Sequence, residues 1–387
     1  MDTSASHSEL YAWLRLALEP HLGPAQMRQL LATFGLPPHI YAQPVSALNK
    51  HLPAPLAAQL HSAPSPELQT RIQQSLDWAA QPQHYILTLA DPLYPAALLD
   101  LTDPPVVLYA KGHLDQLRYP ALAVVGARNA SPVGLKNAHD FAQFLAQQGW
   151  CIISGLASGI DAAGHQGALA AQQPVSTIAI MGTGMDLVYP SRNRSLAHAI
   201  ADRGLIVSEF HLGMRALPHH FLRRNRLVAA LSKGVLVVEA ALKSGSLNTA
   251  TTAGELGREV FALPGSIHSP LHKGCHRLIR QGAKLVESAE HILEELTPIT
   301  TAETTSESPT GPAHLALHLD SPALAAIPDH LPAVQHKILH TLGYETLSVD
   351  QLQQRSHLTT FQVGAALTQL ELIDLVAQQT DGRYVRL

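Results

Sequence analysis

Between residues 121 and 263, short apolar runs alternate with helix-length segments, and this alternation most constrains what the chain can become. The runs are Ala121–Val125, Cys151–Ser154, Thr177–Met181, Leu205–Ser208, Val235–Glu239 and Glu259–Leu263. Most are rich in Val and Ile and apolar throughout rather than every second residue, as expected of parallel strands covered on both faces. Helical segments such as Leu135–Gln148 and Asp161–Gln172 lie between them. The pattern predicts an α/β architecture, a Rossmann-like doubly wound and mainly parallel sheet. Ligands of such sheets sit beyond the carboxyl ends of the strands, so the loops that follow the runs are the candidate site.

The flanks read differently. Residues 1–80 predict an N-terminal all-α domain of the SAM or helix-hairpin-helix type. Leu14, Leu18, Leu22, Met27, Leu30 and Leu31 recur at helical spacing. His21-Leu22-Gly23-Pro24 is a turn, with Pro24 suited to the first turn of the next helix. Leu22–Gly35 has the outline of half a helix-hairpin-helix unit, and Leu52–Leu60 of a degenerate second half. Residues 81–120 are a lead-in to a core domain spanning 81–296. Residues 297–331, containing TPITTAETTSESPTGPAH, predict a flexible acidic linker. In 332–387, three short helices (Val334–Leu342, Val349–Ser356, Thr360–Leu370) precede two strands (Ile373–Gln378, Arg383–Leu387) joined at Asp381-Gly382. That is the outline of a winged helix.

The chain has 387 residues and a formal net charge of −4, which taken alone argues against a polyanionic partner. The distribution reverses this. Residues 1–120 hold 6 Lys+Arg against 9 Asp+Glu, whereas residues 121–296 hold 16 against 12. The linker holds 0 against 4 and residues 332–387 hold 4 against 5. Phosphate binding depends on local charge, so the core is the candidate binder. The acidic balance favours a structural role for the N-terminal helices and a docking or dimer-supporting role for the winged helix. No run approaches the roughly 20 apolar residues of a membrane span. The polar start MDTSASHSEL lacks a secretory pattern, and Cys151 and Cys275 read as two reduced thiols, so a cytoplasmic protein is expected.

Each strand of the core runs into a loop of small residues and donors. After the first come Gly126, Ala127 and Arg128, where the glycine permits a sharp turn, the next helix start favours an anion and Arg128 adds a forked donor. After the second come Ser154, Gly155 and the stretch to Asp161, which is placed to cap a helix. The third loop is GTGMD followed by Tyr189-Pro190-Ser191-Arg192-Asn193. A fourth segment, His219-His220-Phe221-Leu222-Arg223-Arg224-Asn225-Arg226, sets arginines beside an aromatic ring, a pattern suited to phosphates and stacked bases. The fifth, Glu239 to Leu247, contains Lys243, Ser244, Gly245 and Ser246, a hydroxyl-rich anion cradle with a point charge.

The pattern omits the groups that chemistry needs. The first loop is not G-x-G-x-x-G, and neither G-x-x-x-x-G-K-[ST] nor G-x-S-x-G occurs. No base is identifiable beside Ser154 or Ser158. The 23 histidines are scattered without matching cysteines or carboxylates; His336 and His340 sit four apart on a predicted helix. Neither a metal nor a cofactor is expected. A donor-rich edge without acid, base or metal describes a binding protein better than an enzyme.

Seven blocks occur in order from Val124 to Val286: VVGARNAS, SGLASGIDAAGH, GTGMDLVYPSRN, RRNRLVAALS, VVEAALKSGSLNTA, GREVFALPGS and GCHRLIRQGAKLV. Together they resemble the central domain of the DNA-processing protein A (DprA/Smf) family, and the flanking segments resemble that family's accessory domains. The resemblance implies a protein that binds single-stranded DNA without sequence preference and forms a homodimer. It further implies that the protein loads the recombinase RecA in natural transformation and recombination, overcoming single-strand-binding protein, without nucleotide hydrolysis. It places phosphate contacts on Arg128, on Arg224, Asn225 and Arg226, and on Ser244, Gly245 and Ser246. Gly126, Ser154, Gly155, Asn193, Arg192 and Lys243 complete the expected DNA-binding set, the last two on electrostatic grounds.

This sequence departs from the family pattern at Ala127, where serine is common, and at Ser158, where arginine is often found. His219-His220 replace Gly-Asn, and His276 replaces asparagine. Two other readings compete. One is a Rossmann-like nucleotide-phosphate-binding hydrolase using Glu239 as its carboxylate; the other is a duplex-DNA regulator led by the winged helix.

Overall fold

A computed structural model describes residues 3–296, 331–343, 346–373, 375–379 and 382–386. The predicted linker, residues 297–330, and Asp381 of the predicted turn lie outside the described residues. The chain divides into two units, Met1–Ala130 with Gly134–Leu296, and Thr297–Leu387 with Ser131–Val133. The first holds both the N-terminal helices and the sheet.

Six helices open the chain: α1 (Thr3–Leu18), α2 (Pro24–Phe34), α3 (Pro37–Tyr41), α4 (Val45–Leu48), α5 (Ala54–His61) and α6 (Pro66–Ala79). Proline at the first turn of α2, α5 and α6 starts each where a missing N–H costs no hydrogen bond. Their apolar faces, with Leu14, Leu30, Ile40, Leu48, Leu60 and Ile72, form a core. That core continues onto Ile86, Val107 and Tyr109 of the sheet. Ser75 Oγ and Tyr109 Oη, 3.0 Å apart, join the two layers.

The sheet has nine strands. They are β1 (His84–Thr88), β2 (Val107–Gly112), β3 (Ala121–Val125), β4 (Cys151–Ser154), β5 (Thr177–Ile180), β6 (Leu205–Ser208), β7 (Gly234–Val237), β8 (Glu259–Ala262) and β9 (Lys284–Leu285). Their order is β1-β2-β6-β5-β4-β3-β7-β8-β9, parallel from β6 to β9, with β2 and β1 added antiparallel. The helices between are α7 (Pro132–Gln147), α8 (Ile160–Ala170), α9 (Arg194–Arg203), α10 (Pro218–Leu231), α11 (Gly245–Glu255), α12 (Lys273–Arg280) and α13 (Ala289–Leu296). Ala121, Ala123 and Val125 face a core containing α10, α11 and α12, while Leu122 and Val124 face one containing α7, α8 and α13. Both faces of β3 are dry, which is why its sequence does not alternate.

The winding fixes the site. From β3 the chain runs outward through β4 and β5 to β6, then crosses back to β7 on the other side of β3. Connections leaving β3 and β7 therefore diverge, and a crevice opens at their carboxyl ends.

The second unit contains α14 (Ala333–Leu342), α15 (Val349–Ser356), α16 (Thr360–Leu372), and the antiparallel pair β10 (Val376–Gln378) and β11 (Tyr384–Arg386). Ser348 and Thr359 each cap a helix with a reciprocal Gln three residues on. Ile338, Leu342, Leu352, Val363, Leu367 and Val376 make its core.

Candidate nucleic-acid interface

The loops after β3, β4 and β7 are laced together. Ala127 N–H donates to the Glu239 carbonyl at 2.7 Å, and Ile160 N–H donates to the Ala127 carbonyl at 3.2 Å. Gly126 is required by this approach, because a Cβ there would stand 2.6 Å from the Ile160 side chain and 2.9 Å from the Glu239 carbonyl. Gly159 adopts φ +77 to let its loop pass the Ala127–Arg128 backbone.

Asp161, buried at the start of α8, accepts from Gly155 N–H (3.1 Å) and Ala157 N–H (3.3 Å). Burial pushes its carboxyl upward, and the nearby Arg224 guanidinium pulls the other way. Arg224 is itself buried and donates to the carbonyls of Gly155 and Ile180, while its Nε donates to Asn225 Oδ1 at 3.1 Å. Burial lowers Arg224 to about 10, so it stays charged at neutral pH. Asn225 Nδ2 in turn donates to the Gly245 carbonyl at 3.3 Å. One helix, α10, thus braces the ends of β4 and β5 and the loop that starts α11.

The expected DNA-binding set separates on this framework. Arg128, Arg192 and Lys243 are exposed, Gly245 is open, and the Gly126 loop lies beside Arg128. The other expected members are engaged within the fold by hydrogen bonds or packing. Ser154 Oγ donates to the Val124 carbonyl at 2.6 Å inside the sheet. Gly155 is covered by the Arg224 guanidinium. Asn193 Nδ2 donates to the carbonyls of Leu156 (2.9 Å) and Ala157 (3.2 Å). Arg226 turns away from the edge, donating to Glu209 Oε2 at 2.5 Å and to the Asp103 carbonyl at 2.9 Å. Ser244 caps α11, and its Oγ lies 2.5 Å from that of buried Ser246. Helix geometry explains the arginine block, since successive residues of α10 point about 100° apart.

Two aromatic rings complete the edge. Arg128 Cζ lies 5.5 Å from the Phe221 ring centroid, and the Tyr189 ring lies 5.5 Å from the same ring. Tyr189 is 49% exposed. It was legible only as an aromatic residue in a loop following a strand. Ser158, a departure from the family pattern, accepts from Arg192 Nε at 2.7 Å, so a cation stands beside that position from another loop.

Glu239 is 1% exposed. Its carboxylate lies against the first turn of α7, where a Cβ on Gly134 would be within 2.6 Å of both oxygens. The side chain is packed into the framework, not presented at the edge. Among the described residues no group of three or more His, Cys, Asp or Glu is placed to hold a metal ion, and no helix is long and apolar enough to cross a membrane.

Fold and site together define a Rossmann-like α/β protein with an N-terminal helical layer and a C-terminal winged helix. The chain belongs to the DNA recombination-mediator protein A family, whose model matches residues 85–297, and residues 322–382 match the DprA winged helix domain. Protein Smf of Escherichia coli is 41% identical over 317 residues, covering 82% of this chain and 81% of that protein. DNA processing protein DprA of Streptococcus pneumoniae is 46% identical over 208 residues, covering 54% of this chain and 73% of that one. An X-ray structure of DprA from S. pneumoniae superposes with a TM-score of 0.65 at 34% identity, covering 75% of this chain and 98% of that chain. DNA processing protein A from Helicobacter pylori, whose structure is described for its unique single-stranded DNA binding mode, gives a TM-score of 0.51 at 31% identity. That match covers 55% of this chain and 95% of that chain.

Proposed function

We propose that this protein binds single-stranded DNA, without sequence preference, along the edge formed by the carboxyl ends of β3, β4, β5 and β7. The observation that carries the proposal is the grouping of exposed Arg128 with the Phe221 and Tyr189 rings. A guanidinium serves a phosphate and the rings serve base faces, and neither distinguishes one base from another. Arg192, Lys243 and the Ser244–Gly245 turn extend the same donor surface. Family membership and the single-stranded DNA bound by the H. pylori relative support this ligand.

On the same family grounds, the protein acts in the cytoplasm as a homodimer and a mediator rather than an enzyme. It loads RecA onto incoming strands in natural transformation and recombination, against single-strand-binding protein. A salt series with single- and double-stranded oligonucleotides tests the binding. The single strand is favoured, and Arg128→Ala weakens it for all sequences alike, lowering the slope of log affinity against log salt by about 0.7 per lost phosphate contact. Unchanged binding by Arg128→Ala would refute the site. Release of free base from nucleotides, abolished in Glu239→Gln, would replace this reading with the hydrolase.

A further inference from the structure

The GCHRLIR stretch becomes α12, and nothing in the edge described above uses it. Alongside α11 it forms a groove of about 240 Å³, with Lys243, Ser244, Asn248 and Thr251 on one wall and Arg277 and Gln281 on the other. Leu242, Leu247 and Leu278 complete the lining. No carboxylate lines it. Among the described residues, neither the Lys243 nor the Arg277 side chain is held by an ion pair or hydrogen bond, and both residues are exposed. Two free cations and four neutral polar side chains around one concavity favour an anion over any other small group.

The groove is continuous with the DNA edge. Phe221, under Arg128, lies one helical turn before Asn225 on α10; Asn225 holds the Gly245 carbonyl, and Gly245 adjoins Ser244 and Lys243 at the mouth of the groove. We propose that a backbone phosphate of the same single strand seats between Arg277 and Lys243, so that the footprint runs past the strand ends and down the α11–α12 groove. This rests on the single-strand reading above. It gives the protein two separable contact regions: a stacking edge that short strands fill, and a purely electrostatic groove that only longer strands reach.

The test is fluorescence anisotropy with oligothymidylates of about six and about 20 nucleotides, lengths chosen around the site sizes of sequence-tolerant binders. Arg277→Gln is expected to bind the short strand like the wild type and the long strand roughly three- to tenfold more weakly, with the salt slope lower by about 0.7. Arg277→Lys keeps the slope. Thr251→Glu, which puts a carboxylate in the groove from the other helix, weakens the long strand at least as much as Arg277→Gln. If Arg277→Gln leaves the long strand and its salt slope unchanged, or weakens both lengths equally, the groove is not the strand's path. Arg128→Ala separates the two failures. Weakening of both lengths by that variant keeps the single-strand reading when the groove fails; no effect from it removes both.

Discussion

The Arg224 guanidinium lies directly against the Gly155 backbone, donating to its carbonyl and to that of Ile180. A charged group from α10 thus fills the place where any larger residue at position 155 would put its side chain. Gly155→Ala should lower stability by about 1–3 kcal/mol, the cost of overpacking a filled interior. Arg224→Ala should cost more, about 3–5 kcal/mol, because it strands buried Asp161 without its countercharge. Arg224→Lys should not restore it, since an ammonium lacks the fork that reaches two carbonyls and Asn225. Urea unfolding of the three variants measures all of this. An Arg224→Ala protein as stable as the wild type, yet weaker on DNA, would make Arg224 a ligand contact instead.

His165 is buried on α8, with Nδ1 2.7 Å from Thr177 Oγ1. Burial, with Arg224 nearby, pulls it from 6.5 to about 3. Between those values the unfolded chain binds the extra proton and the folded chain does not. Stability therefore falls as pH drops below about 6.5, by up to about 1.4 kcal/mol per unit. Asp161 and Glu209, raised by burial, act in the opposite sense. Comparing the wild type with His165→Asn cancels their effect. The variant should lose roughly 1 kcal/mol less between about pH 6 and pH 5. Parallel stability–pH curves would show that His165 takes up its proton as readily in the folded chain as in the unfolded one.

Tyr189 contributes no charge, so its role on DNA should be visible in affinity but not in salt dependence. Tyr189→Ala is expected to weaken single-stranded DNA by about 1–3 kcal/mol with the salt slope unchanged. Tyr189→Phe should bind like the wild type. A variant whose loss is confined to the slope would argue against stacking.

In the second unit, α16 reads TFQVGAALTQLEL and has no basic residue. Phe361 and Leu372, 84% and 80% exposed, stand near its two ends. A helix that reads duplex DNA needs cations for the phosphates, and this one has none: its exposed residues include neutral Gln362, Thr368 and Gln369 beside Phe361 and Leu372. Residues 332–387, whose described part has its own apolar core, should give no footprint on duplex DNA at roughly physiological salt. A retained footprint would restore the duplex-regulator reading.

Six of the seven parallel strands were legible to within two residues, and the two-residue β9 was not. Ala121–Val125 and Leu205–Ser208 coincide with β3 and β6 because strands buried on both faces leave uninterrupted apolar runs. β1 and β2 were missed within the lead-in. They pair antiparallel across a long irregular connection, so no helix spacing announced them. At the candidate site, the exposure of Arg128 and Lys243 was legible because loop residues between strand and helix have few inward options. The arginine block was not, because four neighbouring polar residues look equivalent in one dimension. Their fates were decided by the Gly155 carbonyl, Glu209 and Asp103, all remote in the chain.

Helix α10 presents Phe221 to the edge, Arg224 to the interior and Arg226 to Glu209 from a single rod. Inserting one residue before Arg224 would rotate everything beyond it by about 100° and advance it about 1.5 Å, so the placement of Phe221 and those of Arg224 and Arg226 could no longer be kept together. A residue added outside a helix shifts the chain without this helical rotation. The interval from Phe221 to Arg226 behaves instead as a fixed ruler, one that lets the surrounding loops diversify without losing their common reference point.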